Sequence, residues 1–235
     1  MESVAEKPAR RDRGQSEDAI VERIFEAVIE QRLPPGTKLS ESALCEAFGV
    51  GRMRIRRSLL LLASRDIVDL QSNRGAYVSS PTPEQAREVF EARRSIEPNV
   101  ARLAVERAAA PDIEALAQHL RQESLAHADG DRRRAIRLSG AFHVKLAEIA
   151  GNAIMLRMVK ELVTRTSLII GMFGASLAAS CPDDEHQNIL RTLEARDPET
   201  AADLMREHLR HIEAQIDLTA EPAANVDLVT LFKPS

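Results

Sequence analysis

Three of the six histidines fall on apolar stripes of separate helical segments. His143 lies with Ile136, Gly140 and Leu146; His186 with Ile189, Leu190 and Leu193; His208 with Ala201, Met205 and Ile212. A single histidine on such a stripe reads as a hydrogen-bonded core residue. Neutral imidazoles from three helices that converge can instead hold zinc, nickel or a similar divalent ion, leaving positions open for water or an anionic ligand. His119, His127 and His211 fall off these stripes or at their edges and read as surface groups.

The second chemical signal is cationic. Between Glu46 and Asp66 there is no acid and there are five arginines, Arg52, Arg54, Arg56, Arg57 and Arg65, in a chain whose net charge is -4. The asymmetry follows the chain: the first 80 residues carry 13 Lys and Arg against 12 Asp and Glu, the remainder 19 against 24. Such a run is either a solvated helix face or a face for a polyanion. Arg165 stands at the edge of an uncharged stretch, Thr166 to Pro182, where a guanidinium needs a partner, and is a candidate contact for an anionic ligand.

Residues 1–15 mix charges with Pro8 and Gly14 and read as a flexible arm. Ser16 can cap a helix with Ile20, Ile24, Phe25, Val28 and Ile29 on one face, and Pro34-Pro35-Gly36 ends it. Ser40 can cap a second helix with Leu44, Cys45 and Phe48 inward, and Gly49 suits the left-handed position after it. A third helix, from near Gly51 to about Ser64, buries Ile55, Leu59 and Leu62 and turns Arg52, Arg56 and Arg57 away. Ile67 to Leu70 and Ala76 to Ser79 read as a hairpin with Arg74 at its tip. Three short helices and a hairpin over residues 16–80 form a winged helix-turn-helix pattern, whose third helix enters a major groove while the hairpin arginine reaches the DNA backbone or minor groove.

From Thr82 the pattern is helical throughout. Thr82-Pro83-Glu84-Gln85 is a capping box with proline at the first helical position. Further starts are expected at Pro111-Asp112, Asp129-Gly130-Asp131, Gly151-Asn152, Pro182-Asp183 and Asp197-Pro198, with Pro98 breaking or kinking the first helix. The fold expected is mainly α: a winged helix-turn-helix followed, over residues 81–219, by an all-α bundle of six or seven helices. Ser167 to Ala179, apolar on all sides, is expected at the bundle centre, and residues 220–235 as a flexible tail.

The run Leu33-Pro34-Pro35-Gly36-Thr37-Lys38-Leu39-Ser40-Glu41, then Gly49-Val50-Gly51-Arg52 with Arg56, then Arg74-Gly75, resembles the N-terminal domain of GntR-superfamily transcription regulators. The resemblance covers about residues 17–80 and implies DNA contacts at Arg52 and Arg56, with Arg54, Arg57, Arg74 and Gly75 supporting. Gly51 stands where the family has Ser or Thr, Arg54 where it has Pro or Thr, and Arg57 where it has Glu.

Arg93-Arg94-Ser95-Ile96-Glu97, Phe142-His143, Ala150-Gly151-Asn152, Glu185-His186 and Met205-Arg206-Glu207-His208-Leu209 resemble the all-helical effector domain of the FadR-type branch, over roughly residues 83–218. This implies a metal held by His143, His186 and His208, with Ser139 at the position of the branch's fourth ligand, an aspartate. Serine is a poor metal ligand, and three readings stay open. Either a ligand oxygen completes the shell, or Asp183 substitutes, or the site takes an organic ligand without metal. Arg93 matches the first position of the branch's R-x-x-l-E motif and either contacts an effector carboxylate or pairs with Glu97.

With 44% hydrophobic and 29% charged residues, the composition is that of a globular protein and disfavours disorder or a disulfide scaffold. The longest uncharged stretch, 17 residues, is short of a bilayer span, so no membrane partner is expected. Two cysteines without paired spacing and no signal peptide favour the cytoplasm. One tyrosine and no tryptophan leave little for an aromatic cage and point to a polar or acidic effector. The reading is a ligand-responsive repressor, not an enzyme, homodimeric on a double-stranded DNA operator and released by a small carboxylate. The competing readings are a small three-histidine metalloenzyme and a DNA-binding protein with a purely structural helical half.

Overall fold

The computed structural model describes residues 15–173, 184–218 and 226–232. Helix α1 (Glu17–Ile29) opens on the Ser16 cap, whose Oγ accepts from the Ala19 amide at 3.2 Å. After Pro34-Pro35 comes a two-residue strand β1 (Lys38–Leu39), which the sequence pattern does not announce, then α2 (Glu41–Phe48) and α3 (Arg52–Ala63). Gly49, at φ 65°, makes the left-handed turn between them. Strands β2 (Val68–Gln71) and β3 (Gly75–Val78) form the wing hairpin, and β1 adds to its other side in the antiparallel order β1-β3-β2. Ile20, Ile24, Leu44, Ile55, Leu62 and Val78 make one core beneath the arginine-bearing face of α3.

Among the described residues the second half contains six helices. They are α4 (Pro83–Arg107), α5 (Ala110–Ala128), α6 (Arg132–Ile149), α7 (Ala153–Phe173), α8 (Glu185–Ala195) and α9 (Pro198–Ala214). Both halves of the Thr82/Gln85 capping box are present. Helix α4, not the expected apolar segment, is the hub, packing against α6, α7, α8 and α9. Of the break or kink expected at Pro98, the break does not occur: the helix runs on through it. Burial on both sides of the proline, at Phe90 and Arg93 before it and Val100, Ala101 and Ala104 after it, holds the helix where one backbone bond is lost.

The apolar end of α7 serves two domains at once, which is why it lacks a polar side. Leu168 joins the core of the DNA-binding half, while Ile169 and Phe173 pack with Ala86, Val89 and Phe90 of α4. Residues 174–179 of that expectation lie outside the described residues.

The tail expected to be flexible contains a short helix, α10 (Leu228–Phe232). Leu228 and Phe232, one turn apart, are buried in the core of the DNA-binding half. The Phe232 ring lies 4.9 Å from that of Phe48, and the Arg23 guanidinium donates to the Phe232 carbonyl at 2.9 Å. No helix among the described residues is long and apolar enough to cross a membrane.

Candidate DNA-binding face and histidine centre

The five arginines expected at the DNA divide into two groups. Arg52 and Arg56 lie on the exposed side of α3, and Arg74 is exposed at the wing tip beside Gly75, which adopts φ 99°. Arg56 Nε donates to both oxygens of Glu41, at 2.8 and 3.0 Å. The pair is exposed and screened by solvent, so a phosphate can displace the carboxylate at small cost. Arg54 and Arg57 lean back instead: Arg54 Nη1 donates to the Gln15 carbonyl at 3.3 Å, and Arg57 to Glu17 at 3.3 Å. They tie α3 to the start of α1.

In the helical half, α6, α8 and α9 bring His143, His186 and His208 together, each at most 2% exposed. Nε2 of His208 lies 3.2 Å from Nε2 of His186 and 3.2 Å from Nε2 of His143. Phe142 stacks on His186 with ring centroids 4.1 Å apart and walls the cluster. The outer nitrogen of every ring faces a carboxylate. Glu97 Oε2 is 2.6 Å from His143 Nδ1, Glu123 is 3.0 Å from His186 Nδ1, and Glu185 is 2.7 Å from His208 Nδ1. A carboxylate hydrogen-bonded to Nδ1 of His186 and His208 fixes the proton there and leaves their Nε2 lone pairs inward, and His143, with Glu97 close to its Nδ1, turns its Nε2 to the same centre.

Protonating His143 and His208 is disfavoured. Burial pushes the His143 imidazole down to about 4, with Glu97 opposing and Arg93 reinforcing the shift. Burial and the neighbouring His186 hold His208 well below the usual imidazole range. Burial raises the carboxyl of Glu97, but Arg93 and His143 outweigh it and keep it ionised. In the same way burial opposes, and His186 outweighs, at Glu123. Glu185, raised by burial and lowered more by His208 and His211, sits at about 2. Three ionised carboxylates thus surround the ring cluster, offset in the interior by Arg93 and at the surface by His211, whose pairing with Glu185 raises its affinity for protons. That donor set fits a divalent cation, which would satisfy the inward lone pairs and meet the surplus negative charge.

A cavity of about 30 Å³ adjoins His143 and is lined by Arg93, Ser139, Gly140, Thr166 and His127 among others. The structure thus joins Arg93 and Ser139 to one histidine of the cluster. Arg93 is 2% exposed; it pairs with Glu97 one turn on, and its Nη1 donates to Thr166 Oγ1 at 3.2 Å. Arg165, expected as an effector contact, does not line this cavity. Successive positions on a helix point in different directions, so with Thr166 turned to the cavity, Arg165 faces outward. Its guanidinium there donates to Asp66 at 2.6 Å and to Glu161 at 3.1 Å.

Of the histidines expected at the surface, only His211 is exposed. His119 is buried, with Nε2 2.8 Å from the Leu138 carbonyl, and burial lowers its proton affinity. His127 is largely covered and lines the cavity beside Glu123. The three carboxylates behind the histidines received no role from the sequence. A signal existed for Glu123, which continues the buried stripe of Leu116, His119 and Leu120 at helical spacing. Asp183, weighed as a fourth ligand, lies outside the described residues.

Two family models match successive parts of the chain. The pattern described as "Bacterial regulatory proteins, gntR family" matches residues 16–78, and the FCD domain matches residues 88–211. The HTH-type transcriptional regulator LutR of Bacillus subtilis is 26% identical over 203 residues, covering 77% of this chain and 92% of that protein. The HTH-type transcriptional repressor RspR of Escherichia coli is 26% identical over 188 residues, covering 78% and 81%. Among solved structures, a GntR-type protein from Rhodococcus sp. RHA1 superposes with a TM-score of 0.74 at 24% identity, covering 85% of this chain and 96% of that one. Escherichia coli McbR/YncC superposes with a TM-score of 0.73 at 20% identity, covering 84% and 95%. The chain belongs to the gntR family of bacterial transcription regulators, with a DNA-binding winged helix-turn-helix in front of an FCD domain.

Proposed function

We propose that this regulator is a repressor whose FCD domain holds a divalent metal, zinc or nickel, at His143, His186 and His208, and that a small carboxylate binding beside the metal releases the operator. The observation that carries the metal is the set of three Nε2 atoms facing one another while each Nδ1 meets a glutamate. The metal would supply a Lewis-acidic position for an anionic oxygen. Arg93 and Ser139 line the adjoining cavity, and its small volume favours a ligand of few atoms. With serine at position 139, the charge of the ion is balanced by carboxylates behind the histidines, which leaves room for an acidic ligand at the ion itself.

The name of RspR, a transcriptional repressor, supports the sign of regulation. A homodimer on a near-palindromic operator follows from the small number of base pairs that one recognition helix can read. DNA as the partner favours work in the cytoplasm. The direct test is elemental analysis of protein purified without chelator, then calorimetry with zinc on the stripped protein. Binding of one divalent ion per chain is expected; no uptake of zinc or nickel, with the fold intact, overturns the metal reading.

A further inference from the structure

A second cavity, of about 680 Å³, lies between the two domains. Its volume is in the range of small-molecule sites, whereas the cavity at His143 is far smaller. Four cationic side chains line it: Arg65 from the end of the recognition helix, and Arg137, Arg157 and Lys160 from α6 and α7, of which Arg137 is paired with Glu30 and Lys160 with Glu148. Three acids line it too, but two of these, Asp66 and Glu161, are already paired with Arg165, leaving Glu22. Arg65 and Arg157 have no ion pair among the described residues. Between the charges lies an apolar surface from Phe25 and Ile67 on one side and Val144 and Val163 on the other.

We propose that this cleft is a second ligand site, for an organic anion with an apolar body, held between Arg65 of the DNA-binding half and Arg157 of the helical half. Such a ligand ties the end of the recognition helix to α7 and so fixes the arrangement of the domains. It is distinct from the histidine centre, since none of the three histidines lines it. The two are nevertheless neighbours. Gly140, Val163 and Ser167 border both cavities, and a Cβ at Gly140 would come within 2.9 Å of Val163 Cγ1, so the wall between them is thin and closely packed. Occupancy of one cavity therefore presses on the wall of the other.

The probe is anilinonaphthalene sulfonate, an aromatic body with one fixed negative charge, titrated into the full-length protein by fluorescence. Saturable binding at one site per chain is expected, weakened at least about ten-fold in Arg157→Ala and in Arg65→Ala, since each removes a charge-assisted contact. Both side chains are exposed, and circular dichroism checks that the fold is kept. Wild-type protein stripped with EDTA should bind the probe as before, which separates this site from the metal reading: a protein that takes up no metal can still bind the probe. Absence of saturable binding, or equal binding in wild type and both variants, overturns the proposal, as does loss of binding on removing metal alone.

Discussion

Arg165 of α7 donates to Asp66 at 2.6 Å, joining the helical domain to the residue that turns the chain out of the recognition helix. Asp66 holds that turn at φ 54°, a left-handed conformation that Asp and Asn tolerate better than most residues. One position on, Thr166 receives the guanidinium of Arg93 in the histidine-side cavity. Adjacent residues of α7 thus face the cavity beside His143 and the DNA-binding half. Because the pair is partly exposed, Arg165→Ala should change stability by less than about 1 kcal/mol. The effector-induced change in operator affinity should shrink. Gel-shift titrations with and without effector check this, and an unaltered response would show that the ion pair carries no signal.

Operator binding should depend on Arg52 and Arg56 more than on Arg54, whose half-buried side chain reaches back to Gln15. Arg52→Ala should cost about 1 to 3 kcal/mol of operator affinity and relax one operator position if it reads a base. Arg54→Ala should act mainly through the seating of α3. Equal operator affinity for wild type, Arg52→Ala and Arg56→Ala in a gel shift would remove this face from the interface.

The carboxylates behind the histidines should matter nearly as much as the rings. Glu123→Gln keeps the size of the side chain while removing the charge that orients His186, and should lower zinc affinity about 10- to 100-fold. Ser139→Asp should raise it by adding a ligand oxygen. Calorimetry on the two variants checks both signs, and unchanged affinity in each would mean that the metal sits elsewhere.

Acid should destabilise the metal-free protein in a defined window. His143 titrates near 6.5 when unfolded and about 4 when folded, so the folded state binds fewer protons in between. Stability is therefore complete above about pH 6.5 and falls as pH drops toward 4, by a few kcal/mol in total, with His208 adding in the same direction. Glu185, depressed to about 2, extends the loss below pH 4.5. Zinc should move the whole window to lower pH, because metal and proton compete for the same nitrogens. Denaturant melts at several pH values with EDTA or zinc test this; a stability that stays level from about pH 7.5 to 5 contradicts it.

Local chemistry made much of the architecture readable. Ser16, Gly49 and the Thr82/Gln85 box each mark an element boundary through their own backbone, and the histidine stripes at 143, 186 and 208 follow from helical periodicity. What stayed hidden depends on contacts distant in sequence. Whether Pro98 breaks α4 is decided by burial on both sides of it, and the apolar end of α7 is shaped by two domains. Glu97, Glu123 and Glu185 look like ordinary helical acids until three chain segments bring each against a ring nitrogen. Arg165 shows the converse: its charge required a partner, but the partner lay in the other domain.

The C-terminal helix supplies the last test. Residues 226–232 lie beyond both family matches, yet Leu228 and Phe232 are buried against the DNA-binding half, with Arg23 over the rings of Phe48 and Phe232. A five-residue helix is not stable alone, so it exists by docking, and removing its anchor should release the whole segment. The loss is then limited to the docking free energy, about 1 to 3 kcal/mol, below the cost of emptying a rigid core site. Phe232→Ala and truncation before residue 226 should therefore destabilise the protein by the same amount, and both should expose α2 to faster amide exchange. If truncation leaves stability and exchange in α2 unchanged, α10 contributes nothing to the domain it covers.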